Sequence, residues 1–183
     1  MFNKSFTKTI IIYGIIAGLL TLAYCFVIKS IGQIPLDGKK APSLLFSIVV
    51  MVFAVKNYRK NNPDNTLHFW EGFAVANLTN IVGACISALG LYFWLSANGN
   101  TILAEYIEQT TAMLKMPKVR NGYIQEMGVA SFNSILEAFK ILSPKDIAID
   151  EIIGLKGKVP LGILVSIMIS LFFRRQYQYV KKS

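Results

Sequence analysis

The sequence predicts an all-α protein: a bundle of four transmembrane helices with a small helical cap outside the membrane between the third and fourth. Three observations lead there. Apolar types make up 54% of the 183 residues and charged types 16%, against roughly 25% charged in water-soluble domains, so a solvated surface could not be covered. The mean hydropathy of +0.48 agrees. The apolar residues gather into four runs, and the Lys and Arg behind a net charge of +9 lie in short clusters beside those runs. Basic clusters in that position act as topology signals, whereas a nucleic-acid-binding protein spreads them over one solvated face. Nucleic acid is therefore excluded as a partner, membrane lipid is the expected surrounding, and disorder is excluded by the same apolar content. At this length residues 1–183 form a single membrane domain.

The first run, residues 9–28, is twenty residues without a charge, and at about 1.5 Å per residue it matches a hydrocarbon core of about 30 Å. Lys4 and Lys8 resemble the basic start of a signal peptide, but the run exceeds an ordinary signal core and no small-residue cleavage pattern follows. The second span, residues 41–58, has a short apolar core. Pro42 is tolerated in its first turn, and Lys56 can extend its charge to the interface. The third span, residues 69–95, is long enough to cross with tilt and carries aromatic residues at both ends, as interfacial belts do. The fourth, residues 159–173, is short again and stops at Arg174 and Arg175.

Orientation follows from the basic residues of the short flanking segments. Lys4, Lys8, Lys56, Arg59, Lys60, Arg174, Arg175, Lys181 and Lys182 fall on one side of a four-span path, which places both termini in the cytoplasm. Lys29, Lys39 and Lys40 remain on the other side, together with the long segment 96–158. That segment is helix-compatible. Ile102, Leu103, Tyr106, Ile107, Thr110, Met113 and Leu114 share one helical face. Lys115 to Gly122 reads as a break, and Tyr123 to Leu142 as a further helix. Ser143-Pro144-Lys145-Asp146 supplies an N-cap, a first-turn proline and an acidic third position for a last short helix ending at Gly154.

Chemistry has few places to reside. Cys25 and Cys85 stand in separate apolar runs without metal-ligand spacing, and the lone His68 has neither a second imidazole nor a nucleophile beside it. No catalytic residue, metal or cofactor is expected. The third span concentrates the polar residues. Gly72, Ala76, Asn80, Gly83, Ser87 and Gly90 line one face, a stripe that lets another helix approach closely and hydrogen-bond through Asn80 and Ser87. The same face could line a polar path, since intramembrane polar groups often mark substrate routes. Asn77 lies nearby in that span. Glu71, three residues after His68, is the only acidic residue within or at the edge of the spans and could pair with that imidazole, or with Arg59 or Lys60. Gly14 and Gly18 form a Gly-x-x-x-Gly pair in the first span, suited to close packing within the chain or between chains.

Several segments resemble a small family of bacterial membrane proteins, domain of unknown function 4199. They are KTIIIYGIIAGLL in the first span, AVKNYRK after the second, the Phe-x-Glu-Gly-Phe element from Phe69 to Phe73, and SPKDIAIDEIIG leading into a last span with Gly162, Ser166 and Ser170. The resemblance implies four helices in the inner (cytoplasmic) membrane of Gram-negative bacteria and implies no activity. The expected role is a non-catalytic accessory or scaffolding subunit of a larger inner-membrane assembly. Other integral membrane proteins or further copies of the chain are its expected partners. The alternative is a small transporter or channel subunit with a polar path along the third span.

Overall fold

The computed structural model describes residues 4–62, 65–97, 101–154 and 157–174. Among the described residues seven α-helices carry the fold: α1 (Lys4–Ser30), α2 (Ser43–Lys60), α3 (Phe69–Ala97), α4 (Thr101–Lys115), α5 (Pro117–Lys140), α6 (Pro144–Ile153) and α7 (Lys158–Phe173). A 3-10 turn, Asp37–Lys40, precedes α2. Four stretches are long and apolar enough to cross a membrane: Lys4–Ser30, Gly38–Lys60, Phe69–Ala97 and Pro144–Phe173. Large apolar side chains such as Leu19, Val27, Phe53, Phe93 and Phe172 are exposed on the outer faces of these stretches, the arrangement expected where lipid rather than water is the solvent. The chain is an all-α, multi-pass membrane protein.

α3 is the central element, and α1, α2, α6 and α7 all pack against it. Its inward face repeats every three to four residues through Gly72, Val75, Ala76, Thr79, Asn80, Gly83, Ala84, Ser87, Ala88, Leu91 and Leu95. α1 answers with Gly14, Ala17, Gly18, Thr21 and Cys25, all buried. A Cβ on Gly18 would lie 2.6 Å from the Ile86 Cβ and 3.0 Å from the Gly83 carbonyl oxygen, so only glycine permits this approach. The Gly14 and Gly18 pair is thus occupied within the chain. Val82, outside the small-residue stripe, abuts Gly14 and fills the groove beside it. On the other flank Met51, Ala54, Val55 and Tyr58 of α2 join Phe6, Ile10, Val75 and Ile169 in the main core. Phe6 meets Tyr58 edge to face at 5.7 Å.

The sequence places residues 144–158 at the end of an external cap and the fourth span at residues 159–173. By length and composition the fourth candidate stretch extends from Pro144 to Phe173 and holds two helices, α6 and α7, with Gly154 capping the first and Gly157 preceding the second. α7 alone, with 16 residues, reaches only about 24 Å, and α6 supplies the missing length by packing along α3. The start of α6 follows the sequence reading closely. Pro144 occupies the first turn, the Asp146 amide donates to Ser143 Oγ at 3.3 Å, and the Ser143 amide donates to Asp146 Oδ2 at 2.9 Å.

α4 and α5 lie outside the four membrane-length stretches. The break expected over residues 115–122 shrinks to Met116, because Pro117 sits in the first turn of α5, where its missing N–H is no loss. The interruption falls instead at Gly128, whose φ of 83° takes the backbone out of helical geometry. Ile102 packs with Ile34, Leu36 and Leu95, and Lys29 reaches Glu105 at 3.1 Å.

If α1 and α3 are held together by this small-residue contact, Gly83→Leu and Gly18→Leu should each destabilise the bundle by about 1–3 kcal/mol, the usual cost of overpacking. Thermal unfolding in detergent reads this directly. Leu89→Ala, on a side chain 58% exposed, should leave the midpoint within error, and an equal loss there would refute the contact.

Candidate functional site

Where α6 gives way to α7, three ionisable side chains from distant parts of the chain meet. Glu151, in the last turn of α6, places Oε1 3.2 Å from the Lys158 ammonium at the start of α7 and pairs through Oε2 with Lys40 of the 3-10 turn. The side chains of Glu151 and Lys158 are 5% and 2% exposed, and that of Lys40 14%. Taking such charges out of water is tolerated only where each is paired and its remaining hydrogen-bonding capacity is met.

That capacity is met in detail around Lys158. Its ammonium donates to Thr21 Oγ1 of α1 at 2.6 Å and to Ser87 Oγ of α3 at 3.1 Å, besides facing Glu151. Three donors thus have three acceptors. The Thr21 hydroxyl donates to the Ala17 carbonyl at 3.0 Å, which leaves its oxygen free to accept from the lysine. Ser87 has one proton and two acceptors in reach, Glu151 Oε1 at 2.9 Å and the Ala84 carbonyl at 3.0 Å. Asn80 donates from Nδ2 to the Lys158 carbonyl at 2.8 Å and so fixes the first turn of α7 against α3. Gly162 faces the same amide, and a Cβ there would collide with it.

The depth of this cluster follows from helix geometry. Ser87 lies eighteen residues beyond Phe69 and ten before Ala97, about 27 Å and 15 Å from the two ends of α3. The cluster is therefore inside the bundle. Beside it a cavity of about 220 Å³ is lined by Lys40, Ser43, Leu44, Asp150, Glu151, Lys158 and Leu161, among others.

The residues singled out in the sequence are distributed differently from expectation. Gly14, Gly18, Gly72, Ala76 and Gly83 all sit at close helix contacts, Gly72 against Leu67 and Ser170. Asn80 and Ser87, from the same stripe, belong to the polar cluster instead. Glu71 lies near the opposite end of α3. Its Oε2 accepts the His68 amide N–H at 3.0 Å, which closes the first turn of α3, while the His68 side chain is exposed. The expected pairing of Glu71 with Arg59 is replaced by another set of contacts. Arg59 donates to Asn65 Oδ1 at 3.2 Å and to the Phe173 carbonyl at 3.5 Å, and lies 5.4 Å from the Phe173 ring centre. Asn77 keeps a buried Oδ1 without a partner among the described residues. Glu71 is also not the only acidic residue of the spans, because Glu151 lies deeper than it does.

Sequence reading missed Glu151, Lys40 and Lys158 because each had a simpler explanation: a polar position on a cap helix, a loop cation, and a flank of the last span. A signal was nevertheless present. A fifteen-residue fourth run is short for a crossing, and the apolar stretch directly upstream, Ile147 to Ile153, contains Asp150 and Glu151 and ends at a glycine.

The sequence matches the family described as protein of unknown function DUF4199 over residues 12–175, and the chain belongs to that family. No curated protein and no solved structure matches it.

Removing one member of a buried ion pair strands the other and typically costs about 3–5 kcal/mol. Glu151→Gln and Lys158→Met should each lower stability on that scale. The double variant should lose clearly less than the sum, because Lys158 is then no longer present to be stranded and only Lys40 is left without its carboxylate. A thermodynamic cycle in detergent measures the coupling, and strict additivity would show that the pair contributes nothing.

Proposed function

We propose that the chain is a small transporter or channel subunit of the bacterial inner membrane, with the Lys40–Glu151–Lys158 cluster as the centre that handles a charged solute. The observation that carries this reading is the cluster's position at the break of the fourth crossing. Ionisable groups inside a bundle are costly and tend to mark solute or proton routes, and transporter sites are commonly built where a crossing helix is interrupted and its freed backbone groups face a cavity. Here the interruption, the charges and the cavity of about 220 Å³ coincide.

The accessory or scaffolding role keeps one observation in its favour. α5 buries only Phe132 among its described residues, and Met113, Met116, Tyr123, Met127 and Val129 are exposed along α4 and α5. An arm so lightly packed on its own bundle suits contact with another protein.

Two measurements test these readings. Both termini are proposed to be cytoplasmic, on the strength of Lys4, Lys8, Lys56, Arg59 and Lys60 in the short flanking segments. The contact of Arg59 with the end of α7 agrees with α2 and α7 finishing on one side. Arg174 belongs to the same group, whereas Arg175, Lys181 and Lys182 lie outside the described residues. In a variant lacking Cys25 and Cys85, a cysteine at Asn62 should resist membrane-impermeant maleimide in intact cells and one at Asn121 should react. The reverse pattern overturns the orientation.

For function, the purified protein is reconstituted into lipid vesicles and challenged with concentration jumps of protons, sodium, chloride and acetate on a solid-supported membrane. At least one jump should give a protein-dependent current that Lys40→Gln and Glu151→Gln abolish at equal content of folded protein. No current with any ion, together with a stoichiometric partner retained by both variants, would replace transport with the accessory role.

A further inference from the structure

The transport reading leaves the class of solute open, and the hydrogen-bond inventory of the cluster narrows it. Glu151 has both carboxylate oxygens engaged, Oε1 by Lys158 and Ser87 and Oε2 by Lys40. Lys158 has three acceptors for three protons. Lys40 is different. Its ammonium has three donors, and Glu151 is its one recorded acceptor among the described residues, while its side chain lines the cavity. The wall therefore sets two ammonium groups, Lys40 and Lys158, against two carboxylates, Glu151 and Asp150, and the unused donors belong to Lys40.

We propose that this cavity binds a small monocarboxylate, its oxygens accepting from Lys40 Nζ and its short apolar tail lying against Leu44 and Leu161. The proposal rests on the transport reading and specifies its solute. The charge class follows from the surplus donors of Lys40, which an anionic oxygen satisfies best. Size follows from the cavity, whose 220 Å³ suits a solute of a few heavy atoms. The carbon tail follows from Ala41, Leu44 and Leu161, which give part of the lining an apolar surface that a bare halide would leave unused. Asp150 also lines the cavity, and its side chain is exposed to solvent. Its charge opposes an anion, so removing it should favour binding.

Purified full-length protein in detergent is titrated with sodium propionate, with sodium chloride at matched ionic strength as the reference, and the unfolding temperature is followed. A ligand that binds the folded state raises that temperature saturably. Propionate should do so and chloride should not. Loss of a charged hydrogen bond weakens binding by about tenfold or more, so Lys40→Met should raise the half-saturating concentration by at least that factor, while Lys40→Arg should retain most of the binding. Asp150→Asn should tighten it. Both Lys40 variants must elute as folded protein on size exclusion, and Lys40→Arg keeps the comparison valid should Lys40→Met fail. Equal stabilisation by chloride, or a propionate response indifferent to Lys40→Met and Asp150→Asn, would overturn the proposal. Propionate binding without flux in vesicles would leave this site standing and remove transport. Proton or sodium flux without propionate binding would do the reverse.

Discussion

Glu151 joins parts of the chain that are otherwise far apart. Through its two oxygens it ties α6 to the 3-10 turn before α2 and to the first residue of α7, and through Ser87 it is anchored to α3. Thr21 brings α1 into the same network by way of Lys158. Every membrane-length stretch therefore has a polar contact at one level of the bundle. In water such contacts are weak because solvent competes for each partner. Inside a bundle the alternative to pairing is a stranded charge, so the network is enforced by the cost of breaking it more than by the gain of making it.

The rest of the bundle accommodates that network through close helix approach. Gly14, Ala17 and Gly18 let α1 lie on α3 nearly backbone to backbone, and this proximity brings Thr21 within 2.6 Å of the Lys158 ammonium. Larger residues on α1 would push Thr21 outward and remove one of the three acceptors. Gly162 plays the matching part between α7 and α3. It leaves room for Asn80, whose amide occupies the space a side chain would fill and bonds the Lys158 carbonyl. Small residues and buried polar residues are thus one device here, since each polar contact depends on a neighbouring residue that has no bulk.

Much of this was legible in the sequence, for particular reasons. Four crossings follow from four apolar runs, because the thickness of a membrane sets a length that composition reveals. The α6 N-terminus was readable because a capping box is local, with Ser143 and Asp146 three residues apart. The small-residue face of α3 was readable from helical periodicity, and so were Asn80 and Ser87 as hydrogen-bonding members of it. The short fourth run hinted at Glu151, but the pairing of Lys40, Glu151 and Lys158 was not readable, because they are joined by tertiary packing alone. In the sequence an isolated lysine near the end of an apolar run looks the same whether it turns to the interface or into the bundle. For His68 and Glu71 the spacing of three left a proton pair or an ion pair with Arg59 or Lys60 open, and it did not reveal that the carboxylate accepts the His68 amide N–H that begins α3.

The location of the charges is connected to the length of α7. A helix of 16 residues cannot cross a hydrocarbon layer of about 30 Å, so its first turn must begin within the bundle. Its leading N–H groups would there meet a medium that offers no hydrogen bonds. Asn80 secures the carbonyl of the first residue, and α6 continues the crossing on the far side of the break. A lysine at that first residue would be prohibitive if it faced lipid. It becomes acceptable because the preceding helix ends with a carboxylate seven residues upstream and the glycine-flanked break folds the two together. The ion pair and the broken helix therefore require each other. Without the break Glu151 and Lys158, seven residues apart, would lie about 10 Å from each other along one continuous axis, and without the pair the break would leave an unpaired ammonium inside the bundle.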